Sequence, residues 1–208
     1  MNVDDILATG ILFAIFAFSI ILHEVAHGYA AYRMGDPTAA NANRLTLNPL
    51  AHIDLFGTII VPIILKLSGS PILGWAKPVP INPYRFWNLK RGVMITALAG
   101  PGTNFALALV AGLASHVVPL GSVWWVFLIE AVSINVMLGV FNLIPIPPLD
   151  GSRILYGLLP RGMDDRYMKI ESIGIFIVYG LLLTNVLSYT IYPLTGAIVN
   201  LLAGHRVM

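Results

Sequence analysis

Two histidines four residues apart, with a glutamate directly after the first, can hold a metal ion and place a base beside it. His23-Glu24-Val25-Ala26-His27 has this spacing. On a helix, residues four apart lie one above the other, so His23 and His27 present two imidazoles on one face. Glu24 sits about 100° round the same turn, close enough to reach a water but poorly placed to ligate beside both histidines. The residue types suit zinc, with two neutral nitrogen ligands and a carboxylate to take a proton from water.

The element that must carry this pair is a membrane helix. From Ile6 to Leu22 there is no charged residue, and the polar ones are only Thr9 and Ser19. A glutamate and two histidines at the end of a hydrocarbon-length run are costly unless they are paired, metal-bound or facing water. The plainer alternative is a helix end emerging into headgroups, where such residues are cheap. The rest of the chain argues against it.

Of the 208 residues, 57% are hydrophobic and 11% are charged, less than half the charged share of about 25% usual in a soluble domain. That composition marks an integral membrane protein, and the length suits one membrane-embedded domain, 1–208, with no accessory soluble domain of ordinary size. Without cysteine there is no thiol ligand, so any zinc must be held by His and carboxylate. The net charge of +2 is dispersed between apolar runs and gives nucleic-acid binding no support. The start, Met1-Asn2-Val3-Asp4-Asp5, is acidic and does not read as a cleavable signal peptide.

Hydropathy predicts an all-α polytopic protein with about five to six membrane segments, one of them re-entrant or interfacial. The first span runs from Ile6 to Tyr32; acidic residues precede it and Arg33 follows, which places the N-terminus outside and the motif near the cytoplasmic face. Gly35-Asp36-Pro37 ends that helix. The polar stretch from Asn41 to Asp54 alternates across Arg44–Leu47, as a short extended segment would. The apolar run from Phe56 to Leu67 is too short for a comfortable span, and the loops on both sides of it are basic, so it fits a re-entrant or interfacial segment. Gly69 to Lys90 is a Pro- and Gly-rich loop whose Trp and Tyr suit the interface. Two spans follow, Val93 to Val117 outward and Val123 to Ile144 inward, joined by an external turn at Pro119-Leu120-Gly121. Pro145, Pro147 and Pro148 then break the helix before Asp150, and Arg153, Arg161, Arg166 and Lys169 mark a cytoplasmic loop. The run from Ser172 to Gly204 is too long for one straight span, and Asn185, Tyr189 and Pro193 suggest a crossing with a kinked or returning second segment. A catalytic core over 6–151 and C-terminal membrane segments over 170–204 complete the expected organisation.

A catalytic zinc site usually takes three protein ligands. His52, His116 and His205 are available, but His116 lies at the expected outer end and His205 at the C-terminus; Asp150 is the better candidate, since it ends an inward span, as His23 and His27 do. Glu130 is a rival carboxylate on the same span. It lies roughly 10 Å below the external end, against roughly 25 Å for His23, and so misses the metal.

The setting of Asp150 is Asn142-Leu143-Ile144-Pro145-Ile146-Pro147-Pro148-Leu149-Asp150-Gly151. With the histidine helix and Gly100-Pro101-Gly102-Thr103-Asn104 between, the sequence resembles the site-2 protease family of intramembrane zinc metalloproteases, in a compact form with no segment long enough for PDZ or CBS domains. The three elements occur in order from His23 to Gly151. The resemblance implies that His23, His27 and Asp150 ligate zinc, that Glu24 is the catalytic base, and that Asn104 and Asn142 orient substrate or active-site backbone. It implies cleavage of peptide bonds within or beside membrane segments of protein substrates, in the cell membrane, with the site near the cytoplasmic side. Oligomeric state, substrate identity and trigger do not follow from it.

Two other classes use similar residues. A membrane metal-ion transporter would line a path with His and carboxylate, recruiting Glu130 and Asp54; a di-iron oxidase would need a second E-x-x-H half-motif, and the chain has none. An inactive scaffold is disfavoured because the base and all ligands are present.

Overall fold

In a bilayer no water satisfies the backbone, so its amides must be paired internally. Helices meet that need here: the computed structural model describes residues 3–68, 76–160, 162–163, 167, 171–184 and 186–204, and among them there is no strand. Among the described residues the α-helices, in chain order, include α1 (Val3–Arg33), α2 (Thr38–Asn41), α3 (Val61–Leu67), α4 (Leu89–Ser115), α5 (Val123–Asn142), α6 (Asp150–Leu158), α7 (Glu171–Leu183) and α8 (Val186–Ala203). Of these, α1, α4 and α5 are long and apolar enough to cross a membrane.

The sequence sets their ends. Asn88 and Ser122 cap α4 and α5, their side chains accepting from Arg91 N and Trp125 N. Past the end of α1, Gly35 takes a φ of 109°, which a side chain would resist. A Cβ there would also lie 2.7 Å from Trp87 Nε1. The final apolar run divides into α7 and α8, with Pro193 inside α8.

Helix α4 is the central element, packed against α1, α5, α6 and α8. Small residues let the backbones approach: Ala108 and Ala111 of α4 meet Val132, Val136 and Val140 of α5 and Ile191 and Val199 of α8 in the buried core. Phe13 and Phe18 on α1 and Val110 and Leu113 on α4 point outward, as lipid-facing residues would.

Residues Leu55–Ile60 form a π-helical stretch that runs into α3, started by Asp54, whose side chain accepts from Gly57 N. This segment and α3 together fall short of a hydrocarbon core of about 30 Å. The extended piece expected at Arg44–Leu47 has no strand ladder; bends replace it, and Arg44 Nη2 donates instead to Lys77 O at 2.8 Å. Gly69 to Trp75, Arg161, Arg166, Lys169, Asn185 and His205 lie outside the described residues.

Candidate metal centre

Helix α1 buries His23 and His27 on one face, against α4. The approach is close because residue 100 is glycine: a Cβ there would lie 2.4 Å from His27 Nε2 and 2.6 Å from His23 Cε1. Asp150 arrives by a tight return. After α5 ends, the proline-rich stretch folds back and α6 begins at Asp150 itself. A Cβ on Gly151 would fall 2.2 Å from Leu143 O, so glycine lets the first turn of α6 rest on the end of α5. Tyr167 pins the return by donating its hydroxyl to Pro145 O at 2.6 Å.

Hydrogen bonds fix which ring nitrogens carry protons. His27 Nδ1 lies 2.7 Å from Thr96 O; a carbonyl only accepts, so Nδ1 donates and a neutral ring keeps its lone pair on Nε2. His23 Nδ1 donates in the same way to Asn104 Oδ1 at 2.6 Å. Asn104 is held in turn: its Nδ2 donates to Asn135 Oδ1 at 3.0 Å, and Asn135 Nδ2 donates to Ser19 Oγ and Ala131 O, each at 2.9 Å. A relay of amides thus orients one imidazole and a backbone carbonyl the other, as supporting groups do around metal-ligating histidines.

The consequence is three lone-pair atoms facing one another. His23 Nε2 and His27 Nε2 are 2.9 Å apart, and both lie 3.2 Å from Asp150 Oδ2, which is buried with no hydrogen-bond partner. Three acceptors without a donor repel unless a cation sits among them. Zinc bonds of about 2.0–2.2 Å in a tetrahedron set ligand atoms roughly 3.3–3.5 Å apart, close to this spacing. The N, N, O donor set with no thiolate also suits a catalytic rather than a structural zinc site. Among the described residues this is the group of histidines and acids that comes together in this way.

Glu24 stands beside the triad on the wall of a cavity of about 780 Å³. Its Oε2 accepts from Val79 N at 3.0 Å. The remaining lining is mostly apolar, including Phe16 and Ile20 of α1, Val93 of α4, Leu138 and Phe141 of α5, and Ile175 and Val178 of α7. Segment 76–83 closes one side. Helix α7 comes close because a Cβ on Gly174 would lie 2.0 Å from Pro147 O, and Arg153 ties α6 to it through Glu171 at 3.3 Å.

The structure separates the other candidates. Asn104 is fully buried behind His23 with both amide atoms engaged, so it faces the ring and not the cavity, where substrate orientation would need it. Asn142 does line the cavity, with its Nδ2 donating to Leu138 O in its own helix. His52 points at Thr46 O and His116 at Leu202 O, and Glu130 stands apart from the triad. Three contributors escape a reading of side-chain motifs: the Thr96 carbonyl, the Val79 amide and Asn135. For Asn135, and for Ser19 beside it, the usable signal is a polar residue deep in an apolar span.

Comparison with known proteins agrees with this chemistry. The model of peptidase family M50 matches residues 115–185, a stretch that contains Asp150 and leaves the histidine helix outside. Over 195 residues the chain is 34% identical to YwhC of Bacillus subtilis, covering 86% of this chain and 83% of that protein. It is 32% identical to Rip2 of Mycolicibacterium smegmatis over 85% of this chain and 68% of Rip2, and 25% identical to MJ0392 of Methanocaldococcus jannaschii over 85% and 44%. All three carry names of zinc metalloproteases. No solved structure matches the chain. With apolar spans around an N, N, O centre and this extent of similarity to YwhC, the chain belongs to peptidase family M50, the site-2 protease family, and is a zinc metalloendopeptidase of the membrane.

Proposed function

We propose that this protein hydrolyses peptide bonds within or next to the membrane segments of protein substrates, with Glu24 as general base. The observation that carries the reading is the convergence of His23 Nε2, His27 Nε2 and Asp150 Oδ2, all as acceptors, beside Glu24 on a largely apolar cavity. His23, His27 and Asp150 would hold the metal. When bound there, zinc supplies Lewis-acid polarisation of a peptide carbonyl and makes water more acidic.

The protein's own groups do the rest. Glu24 Oε2 is held by the Val79 amide, which leaves Oε1 to take a proton from water and pass it to the leaving amine. The apolar wall from Phe16, Ile20, Phe141 and Val178 suits a hydrophobic substrate segment. A peptide bond inside a helix is already hydrogen-bonded and shielded, so that segment must unwind locally, and helix-weakening residues should favour cleavage. Lys77, Val79 and Asn82 each precede a proline, which favours extended backbone, so segment 76–83 is the edge along which an unwound strand would lie.

In this reading residues 1–208 form one membrane-embedded domain, with the catalytic core over 6–151 and further membrane segments over 170–204. The acidic N-terminus is external, the basic loops are cytoplasmic, and the site lies near the cytoplasmic face. The stretch from Phe56 to Leu67 is re-entrant or interfacial. Transport of metal ions is not favoured: Asp54 is spent on capping Gly57, and Glu130 lies outside the triad.

The test is Glu24→Gln in detergent or proteoliposomes with a model membrane substrate. Cleavage should fall by about 10²–10⁴-fold while zinc content stays at the wild-type level. Substantial turnover by the zinc-loaded variant would remove Glu24 from the role of base.

A further inference from the structure

Asp36 follows the first helix in a Gly-Asp-Pro stop, yet a stop does not require it. Gly35, with its φ of 109°, and Pro37 already prevent the helix from continuing. The Asp36 carboxylate is nevertheless completely buried. Burying a carboxylate is costly unless hydrogen bonds fill its lone pairs. Thr38 fills one oxygen with its backbone N–H, at 3.0 Å, and with its hydroxyl. The other oxygen, Oδ2, accepts from Asn82 N at 2.6 Å, a contact that spans 46 residues of sequence.

That long-range bond fastens the cavity wall to the end of α1. Asn82 caps Tyr84 N with its own side chain at 3.2 Å, and Trp87 N donates to Met34 O at 3.1 Å, so the chain is held at both ends of this short stretch. Three residues upstream of Asn82, Val79 donates to Glu24 Oε2. The Val79 side chain is buried against α1, where a Cβ on Gly28 would come within 2.8 Å of its Cγ1. Only Pro80 and Ile81 separate the two clamps, and Pro80 has a fixed φ. A shift at Asn82 therefore carries to Val79 with little slack.

We propose that Asp36 is a positioning residue for the peptidase site. It anchors segment 76–83 so that the Val79 amide holds Glu24 with one oxygen turned to the reaction. The proposal rests on Glu24 acting as the base. It assigns Asp36 no contact with substrate or metal.

The experiment uses the full chain, zinc-loaded, and an Ile81→Cys background, which supplies a single thiol because the chain has no cysteine. In Asp36→Asn one carboxylate oxygen becomes an NH₂ that must face either the Thr38 donors or the Asn82 N–H, so one contact turns repulsive whichever way the amide lies. The expected result is wild-type zinc content, alkylation of residue 81 faster by several-fold, and kcat per bound zinc lower by about 10- to 100-fold. Val79→Pro, which deletes the donor to Glu24 without touching Asp36, should lower kcat per zinc to a similar degree. A purely structural Asp36 would lower the melting temperature and leave kcat per zinc unchanged, which overturns the proposal; so does an unchanged labelling rate. If Asp36→Asn fails to fold or to bind zinc, Val79→Pro decides, and wild-type kcat there overturns the proposal. Failure of Glu24 as base shows itself separately, as turnover by zinc-loaded Glu24→Gln.

Discussion

His23 Nε2 and His27 Nε2 stand 2.9 Å apart with no proton between them, because each ring donates its Nδ1 proton to a partner elsewhere, Asn104 Oδ1 and Thr96 O. Two neutral imidazoles do not settle into that arrangement unaided. The bond from His23 to Asn104 is one of the two that impose it. Asn104→Ala should therefore keep the fold but weaken zinc binding by about 10- to 100-fold, the usual loss when such a supporting partner is removed. Competition against a chelator of known affinity measures it. An unchanged zinc affinity would mean that the amide relay does not set the ring.

Gly100→Ala tests the approach of α4. The added Cβ would meet His27 Nε2 at 2.4 Å and His23 Cε1 at 2.6 Å, so the rings or the helix must move. Zinc stoichiometry and cleavage should both drop sharply, while Gly102→Ala two residues on, where nothing lies within 4 Å, should be nearly silent. Metal analysis of the two purified variants separates them.

The third ligand is tested by a pair of carboxylates. Asp150→Ala removes the oxygen 3.2 Å from both ring nitrogens and should abolish tight zinc binding and proteolysis. Glu130→Gln should keep its metal and substantial activity. Zinc content and cleavage rate, measured side by side, decide; the reverse pattern would reassign the ligand.

Topology has its own test. Ser122 caps the start of α5 in the turn proposed to be external, so Ser122→Cys should react with an impermeant thiol reagent from outside intact cells. A cysteine at Lys77 should react only after the cytoplasmic side is opened. Labelling of residue 122 from the cytoplasmic side alone would invert the proposed arrangement.

Much of this candidate site is legible in the sequence because the side chains that come together in it stand at helical spacing or beside marked turns. The His23-Glu24-x-x-His27 register, the apolar spans and the proline-marked return to Asp150 all have patterns of that kind, and α1, α4 and α5 fall where hydropathy places spans. The Thr96 carbonyl and the Val79 amide have none, since every residue carries those groups and only the packing of α1 against its neighbours selects them. Gly100 belongs to a recognised element, but its reason, contact with two imidazoles, is a matter of distance between helices. The alternation at Arg44–Leu47 forms no strand, because period-two patterning needs a partner edge to become one, and none lies beside it among the described residues.

The return that brings Asp150 to α1 also governs when the enzyme can first act. Translation proceeds from the N-terminus, so α1 enters the bilayer carrying both imidazoles and Glu24 while Thr96, Asn104 and Asp150 are still unmade. At about 5–20 residues per second, seconds pass before the proline-rich stretch emerges and α6 can settle on the end of α5. During that interval the nascent helix lacks the proposed third ligand and both braces that orient its rings. On the proposed reading, in which membrane segments are the substrate, the order of synthesis thus withholds a complete centre until α5 and the start of α6 have been made.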